Sequence, residues 1–526
     1  VSSNLPIDVV RRMGADVVIA VDISTPLAER EQIQSLLAVT DQLMTILTRR
    51  NTDEQIASLT DIDVFIQPDL GDITTASFDR AAEAIPAGVT AAETALDKLE
   101  RLSLPVEEYQ AHVDGRERRT TERPVIDEIR IVNQSRLSDG VIAARLGTKT
   151  GEPLDVARLE GDLSQIYGLE IFELVYYDVT IESGRTVLTV TVREASWGPN
   201  YLQFGLAVFE DYEGPNFNIA GAFTRTPINR LGGEWRTAIQ IGQEPGVFTE
   251  LFQPIDHKLR KYVHLMALAG EQAENVFDDE GRKLTEWNVR RYGINAAIGR
   301  ELGTWGDVRL GFIREAGTTS IQVGDPLLPD SSFDTGDAFV QFFVDEVDDV
   351  AFPRYGGTFR IRFAAGREAL GSDVNYEQGF VQGSYPYTRG RYTGLVGGMY
   401  GTTRDSNAPF QNLFRLGGFT RLSGLEYNEL RGQHAALLYG TFFRRMWNSK
   451  LLPAYLGLSV EYGNVFEQTS DIDFDSGIAA GSVFFGVDTF IGPIYLAWGL
   501  AEGGRSNYYV FLGQSPSSRG IGFRAW

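Results

Sequence analysis

Cysteine is absent from the 526 residues. A disulfide framework, a thiolate zinc or iron–sulfur site and a cysteine nucleophile are therefore excluded, and the redox compartment stays open. Only four histidines occur, His112, His257, His264 and His434, with neither metal-ligand spacing nor a shared element, so no metal site and no cofactor is expected. Basic residues are in the minority: 48 Lys and Arg face 71 Asp and Glu, for a net charge of −23. That sign is wrong for a phosphate-binding surface and excludes nucleic acid as a partner. Long apolar runs are missing as well, and nothing approaches the ~18–20 residues of a membrane-spanning helix. Any crossing of a bilayer must then be made by a closed β-barrel. A mean hydropathy of −0.15 is compatible with one, because barrel strands alternate between two faces. An initiator Met and a charged-then-apolar leader are also lacking, and the chain, beginning at Val1, reads as a fragment or a processed product.

What is present falls into successive zones, as a length of two to four domains at ~100–200 residues each would allow. Residues 1–102 carry α/β punctuation. A short helical stretch from Ile7 closes at Met13-Gly14, and Val17 to Asp22 is a continuous apolar run of the kind a buried parallel strand shows. Helical spacing follows at Leu36, Val39, Leu43, Met44 and Leu47, and again at Val89, Ala92, Leu96, Leu99 and Leu102; Val64 to Gln67 makes a second strand. Residues 103–123 are polar, with little periodicity, and read as a linker. Residues 124–196 give strand, short helix, helix and two strands flanking Ser183-Gly184-Arg185, a hairpin signal, enough for one small α+β domain.

From residue 197 to the end helices vanish. Sixteen segments alternate between two faces, with Leu202, Phe204, Leu206 and Val208 on one side of the first. Phe359, Ile361 and Phe363 stand opposite Arg360 and Arg362, and Leu456, Leu458, Val460 and Tyr462 opposite Ser459 and Glu461. Buried in a sandwich, Arg360 and Arg362 would be costly; in a barrel they face a wet lumen. Counted from the turn after the first strand, odd-numbered connections sum to roughly 108 residues and even-numbered ones to roughly 42, the parity of outer-membrane barrels. The first strand then runs outward, and everything before Tyr201 lies on the periplasmic side. The last strand is expected at Asn507 to Gly513, with Ile521 to Trp526 as the alternative.

Several strings carry family resemblances. Asn4, Leu5, Pro6, Arg12, Met13, Gly14, Ala15, Asp16 and the strand Val17 to Asp22 make the first 24 residues similar to the segment that follows the catalytic Asp-Gly-Gly of patatin-like phospholipases. The resemblance implies a Ser–Asp dyad acting on lipid esters, with the Ser on a G-x-S-x-G elbow. No such elbow occurs; the nearest string, Gly457-Leu458-Ser459-Val460-Glu461, lacks the second glycine and sits in mid-strand. The dyad Asp would fall before Val1. No catalytic residue is therefore assigned, and Asn4 and Pro6 remain as the remnant of an active-site loop. Asp8, Asp16, Asp22, Asp61, Asp63 and Asp69 lie on loops and strand ends, where short acceptors commonly satisfy backbone N–H groups.

Residues 124–194, through Leu154-Asp155, Leu163, Tyr167, Gly168 and Phe172, resemble a POTRA domain, the periplasmic module that precedes Omp85-superfamily barrels. Residues 415–432 lie in the longest odd connection and resemble the lumenal loop of those barrels, with Arg431-Gly432 at its motif and Leu430 and Gln433 in place of the usual Val and aromatic. The resemblance implies an ion pair from Arg431 to Glu461, in Val460-Glu461-Tyr462-Gly463, where Glu replaces the family's Asp before Gly463. Such a shielded guanidinium–carboxylate pair can anchor a loop where an exposed one could not.

The whole order, an α/β patatin-like remnant, an α+β POTRA domain and a 16-stranded antiparallel transmembrane β-barrel, resembles patatin-like autotransporters of type Vd. This implies a bacterial outer-membrane protein with membrane lipids as substrate and solvent, and outer-membrane assembly machinery and periplasmic chaperones as partners. POTRA is then periplasmic and the hydrolase domain periplasmic or surface-exposed. The alternative is an Omp85-type assembly or protein-transport pore in which hydrolysis is secondary.

Overall fold

A computed structural model of the chain describes residues 4–24, 36–71, 73, 78–121, 123–198, 200–211, 214–278, 281–323, 330–404, 406–447, 452–489 and 492–513. They divide into two units that meet at Arg123 and Pro124.

The first unit holds α1 (Ile7–Arg12), β1 (Ile19–Val21), α2 (Leu36–Ala57), β2 (Val64–Ile66), α3 (Ala84–Thr94), α4 (Leu96–Glu100) and α5 (Val106–Thr121). β1 and β2 pair in parallel, Ile19 opposite Val64. Leu5, Ile7, Val18 and Ala20 form a small core against Ile56, Leu59 and Phe65. Asp63, itself 2% exposed, seals the strand ends. Its carboxylate accepts the backbone N–H of Val18 and of Thr60 and the Thr60 hydroxyl, each at 2.8 Å, and pairs with the Arg11 guanidinium at 2.5 Å.

Three sequence expectations change here. The run from Val17 to Asp22 is not covered on both faces, since Ile19 and Val21 are exposed: a sheet of two strands has one packed side. Val89, Leu96 and Leu102 are exposed too, and neither α3 nor α4 buries a residue completely. The stretch read as a linker carries a 16-residue helix, α5. Glu107 and Glu108 in its first turn complement the helix dipole, a local signal that hydrophobic periodicity does not report.

The second unit begins with a three-stranded sheet. β3 (Glu128–Gln134), α6 (Asp139–Ala143), α7 (Val156–Tyr167), β4 (Phe172–Glu182) and β5 (Arg185–Glu194) fold so that β5 lies between β3, parallel to it, and β4, antiparallel. Asp155 caps α7 by accepting the Arg158 N–H at 3.2 Å. Leu159, Leu163 and Ile166 recur at helical spacing and are buried beneath the sheet. Ser183 and Gly184 both have positive φ, 52° and 80°, as a two-residue hairpin turn of the right twist requires. The domain docks on two barrel turns. Ser138 N–H donates to the Arg230 carbonyl at 2.8 Å, and Leu231 and Leu259 pack on the domain core.

Sixteen strands then close into a barrel. They are β6 (Asn200–Asp211), β7 (Gly214–Arg225), β8 (Glu234–Gly242), β9 (Gly246–Pro254), β10 (Lys261–Phe277), β11 (Lys283–Glu301), β12 (Gly306–Val323), β13 (Ser331–Asp345), β14 (Thr358–Gly366), β15 (Tyr376–Arg389), β16 (Tyr392–Arg404), β19 (His434–Trp447), β20 (Ala454–Phe466), β21 (Ile478–Val487), β22 (Ile494–Ala501) and β23 (Arg505–Leu512). A separate hairpin, β17 (Phe414–Leu416) with β18 (Leu430–Gly432), lies between β16 and β19. Consecutive barrel strands pair antiparallel. β23 supplies the last one, and the rival segment 521–526 lies outside the described residues.

The alternation places large apolar side chains outward. Leu202, Phe204, Phe359, Ile361, Phe363, Leu456, Leu458 and Val460 are all exposed, a band suited to hydrocarbon and not to water. Arg362, Ser459 and Glu461 face inward and are buried.

Odd-numbered connections are shorter than expected, though still longer in sum than the even-numbered ones, because much of the presumed outer loops is strand. Residues 271–277, 283–286, 316–323 and 331–336 continue the ladders of β10 to β13, which run 17, 19, 18 and 15 residues, well beyond the ~9–11 that span a bilayer. On that extension the outward face carries the cross-strand pair Glu271–Arg290, 2.7 Å, in place of apolar residues, so the alternation that marks a lipid-facing strand ends there.

Candidate functional site in the barrel lumen

The connection from β16 to β19 folds back into the lumen. Phe414, Leu416, Leu422 and Leu425, all but completely buried, pack on Phe380, Met399 and Leu437 of the wall. Leu422 holds φ 78°, a left-handed conformation that a branched aliphatic residue adopts at a cost, so the surrounding packing fixes the tip. Gly424 N–H donates to the Tyr509 hydroxyl at 2.9 Å, and that hydroxyl donates to the Leu425 carbonyl at 2.8 Å.

The anchors of this plug are charged. Glu274 of β10, 2% exposed, accepts a hydrogen bond from Arg431 at 2.8 Å and lies in ion-pair contact with Arg415 at 2.9 Å, two residues that face each other across the β17–β18 hairpin. Arg291 stands 4.0 Å from the same carboxylate. Arg431 also donates to the Asn275 carbonyl at 2.5 Å and lies over the Phe410 ring, 4.9 Å from its centroid.

The expected pair of Arg431 with Glu461 is replaced. Glu461 accepts the Ser423 hydroxyl at 2.7 Å, together with the Ser423 N–H and the Ser459 hydroxyl. The reason is depth. Gly432, at the base of the hairpin, lies against the backbone of Phe466, whereas Ser423 at the tip reaches Glu461, five residues further along β20. A Cβ at Gly432 would meet the Phe466 carbonyl at 2.7 Å, and one at Gly463 would meet the Ala436 carbonyl at 2.3 Å, so both positions need glycine for close backbone approach. Glu274 escaped sequence reading because its strand was expected to end at residue 270. Arg415 and Ser423 lie inside the string already singled out, but nothing in the string distinguishes them.

A second segment enters from the end of the barrel where the POTRA domain docks. The turn between β13 and β14 carries Phe352, 2% exposed, stacked on Tyr455 with ring centroids 4.1 Å apart and flanked by Phe443 and Tyr495. Asp349 accepts the N–H groups of Ala351 and Phe352 at 2.7 Å, and the Tyr495 hydroxyl donates to the Ala351 carbonyl at 2.6 Å. From the opposite side Phe419 of the plug reaches Phe484, Tyr495, Tyr509 and Phe511, at centroid distances of 5.6–5.9 Å. Plug and turn thus meet at one aromatic cluster.

Among the described residues, the barrel closes between β6 and β23 at the register pair Val208 opposite Leu512. Every other junction is a full ladder.

With this geometry in view, the comparisons are specific. Residues 124–195 match the POTRA family, described as the surface antigen variable number repeat. No curated protein matches the sequence. BamA from Haemophilus ducreyi lacking POTRA domains 1-3 superposes with a TM-score of 0.58 at 12% identity, over 74% of this chain and 84% of that one. CdiB from Escherichia coli gives 0.52 at 13% identity, over 74% and 76%. Residues 124–195 are a POTRA domain, and the barrel shares the 16-stranded fold of these two structures.

Asn4 and Pro6 are exposed at the start of α1. Asp22 accepts the Ser24 N–H and Asp69 the Gly71 N–H, Asp8 pairs with Arg12, and Asp16 and Asp61 are exposed. His112 lies on α5, His257 in a barrel turn, His264 on β10 and His434 on β19. Among the described residues no group of three or more His, Asp or Glu side chains is arranged to hold a metal ion, and no helix is long and apolar enough to cross a membrane.

Proposed function

We propose that the chain is an outer-membrane barrel of the Omp85 type that inserts or exports protein clients, with the POTRA domain on the periplasmic side. The observation that supports this reading is the seam: among the described residues the wall is laddered everywhere except between its first and last strands, where Val208 opposite Leu512 is the one register pair. Backbone N–H and C=O groups left unpaired at a parted seam would be costly in hydrocarbon, and an incoming client strand would satisfy them. In the POTRA sheet β4 presents a free edge that can receive an extended segment in the same way. Membrane lipid is the solvent of the outward face, and the expected partners are outer-membrane assembly machinery and periplasmic chaperones.

The test uses the absence of cysteine. A Val208→Cys, Leu512→Cys double variant, oxidised in proteoliposomes, is expected to lower integration of a urea-unfolded barrel client at least tenfold, and dithiothreitol to restore it. Unchanged integration by fully cross-linked protein overturns the reading.

For residues 1–123 we retain a patatin-like lipid acyl hydrolase as a second reading. The parallel pairing of β1 with β2 beside α1 favours it, together with the sequence string around Asn4 and Pro6. On that reading the dyad lies outside these 526 residues and the barrel anchors or translocates the esterase. The purified chain then hydrolyses no p-nitrophenyl ester above blank, and turnover would overturn that placement of the dyad. Protease shaving of intact cells cuts the unit only where it is surface-exposed.

A further inference from the structure

Between β13 and β14 the connection is a finger rather than a tight turn. Residues 346–357 continue both strands, with Glu346 N–H donating to the Gly357 carbonyl at 3.0 Å and Asp348 N–H to the Tyr355 carbonyl at 3.2 Å. The finger shapes its own tip: Asp348 accepts the N–H groups of Arg354 and Tyr355 at 2.8 and 2.9 Å, and Asp349 those of Ala351 and Phe352. In the ring of strands β15 and β16 separate it from β19, yet its Phe352 ring lies against side chains of β19, β20 and β22. The finger therefore crosses the mouth of the lumen. Its seat on the far wall fits a ring. Tyr455 stacks on Phe352, Phe443 meets it edge-on, and at Gly486 of β21 an added Cβ would stand 2.5 Å from the ring. The backbone is fixed by the Tyr495 hydroxyl, which donates to the Ala351 carbonyl at 2.6 Å. What is held is an aromatic ring together with the carbonyl that precedes it, a pair present in any peptide segment with an aromatic residue. Holding it carries a cost. Burial first, and then the Asp349 carboxylate, raise the Asp488 carboxyl in the turn after β21 above the usual range, so the seated finger faces like charge.

We propose that the finger is the internal occupant of a peptide-binding pocket, which, once the finger withdraws, takes an aromatic residue and the carbonyl before it from an extended segment arriving on the POTRA side. Three features support it. The ring stack and the hydroxyl contact recognise chemistry that the finger shares with other peptides. The tip keeps its shape through its own Asp348 and Asp349 bonds, so it can leave the seat as a unit. Its base stays anchored, because the Thr388 hydroxyl donates to the Arg354 carbonyl at 2.7 Å and the Arg354 guanidinium to the Gly390 carbonyl at 2.8 Å. Tethering presents the finger at an effective concentration of about millimolar or more, so free segments compete poorly while it is intact. That the arriving segment belongs to a client rests on the transport reading; the pocket does not.

The test uses the acetylated tetrapeptide amide Val-Ala-Phe-Pro, which copies residues 350–353, and its counterpart with Ala in place of Phe. Each is titrated calorimetrically into the full chain in nanodiscs, with empty nanodiscs as the blank. Phe352→Ala empties the seat and should bind the aromatic peptide about tenfold or more tightly than the unaltered chain does, because no tethered ring competes. The same variant should prefer the aromatic peptide to the Ala peptide by about tenfold. Adding Tyr495→Phe, which deletes the hydroxyl aimed at the carbonyl, should weaken binding about fivefold. Should Phe352→Ala protein not fold, as judged by heat-modifiable gel mobility, Asp349→Ala takes its place: the finger keeps its ring but loses the acceptor that shapes its tip, and the aromatic peptide should again bind more tightly than to the unaltered chain. Equal binding of the two peptides, equal binding by variant and unaltered chain, or no binding by a folded variant would each overturn the proposal. Peptide binding is read without client integration, so a variant that binds neither peptide in a chain that still integrates client overturns the pocket alone.

Discussion

The two halves of the barrel wall hold themselves in different ways. On one side β10 to β13 run 15 to 19 residues and enclose the hollow part of the lumen. On the other, β20 to β23 run 13, 10, 8 and 8 residues and back onto the plug and the aromatic cluster. Where ladders are long, backbone pairing suffices; where they are short, side chains inside the lumen supply the missing cohesion. The last strand shows this most plainly. Among the described residues β23 meets β6 through one residue pair, yet Tyr509 and Phe511 bury it in the cluster, and the Tyr509 hydroxyl ties it to the plug. On the proposed transport reading, the seam would part on the β6 side while β23 stays in place.

The contact between the halves is Glu274, which reaches from the long-stranded side to both arginines of the plug. Replacing it by Gln leaves Arg415 and Arg431 buried without their carboxylate, a loss of about 3–5 kcal/mol, while Arg291 keeps Glu315 at 3.7 Å. In Glu274→Gln the transition from compact to extended mobility on gels should fall well below that of the unaltered barrel, and the plug should become open to proteolysis. A variant as stable as its parent would show that the plug is held by its apolar underside alone.

Within the filled half, Phe352→Ala removes a ring from the aromatic cluster and should cost about 3 kcal/mol. Phe248→Ala, on the hollow side and only half-buried, removes the same ring from a wall that its ladders already hold, at about 1 kcal/mol. Urea titration in micelles measures both. Equal losses would break the contrast between packed and laddered walls, and a larger loss at Phe248 would reverse it.

Much of this architecture was legible because a barrel strand imposes a two-residue period that hydrocarbon on one face and polar lumen on the other make visible. The segments around Phe359 to Phe363 and Leu456 to Glu461 show both faces clearly, and all sixteen strands were located from it. Legibility ended where hydrocarbon ends: past residue 270 the outward face of β10 is polar, so its extension, and Glu274 with it, read as loop. The plug was legible as a string but its partner was not. Gly432 and Gly463 mark close backbone approach, which local sequence can signal, whereas the choice of Glu274 over Glu461 depends on how deep a hairpin reaches into a closed lumen. Phe352 had no local signal, since an aromatic residue in an acidic turn looks like any exposed turn residue until the opposite wall is placed.

The first unit offers an aqueous counterpart of Glu274. Asp63 is also a buried carboxylate facing a guanidinium, but it rests mainly on backbone donors. The Thr60 N–H foremost, with those of Val18 and the Thr60 hydroxyl, and the Arg11 guanidinium, holds its carboxyl well below the usual carboxylate range. A folded-state value below the unfolded one of about 3.9 means that the network contributes fully above about pH 5 and weakens as pH falls through 4. Asp63→Asn should cost about 1–2 kcal/mol at neutral pH, because an amide oxygen can still accept some of the donors. The Val18 amide, which donates directly to this carboxylate, reports the difference. Its exchange protection, corrected for intrinsic rate, should drop between pH 6 and pH 3 in the unaltered chain and stay low and flat in Asp63→Asn; parallel profiles would remove Asp63 from the acid response and leave the packing of Leu5, Ile7, Val18 and Ala20 as what holds β1 to β2.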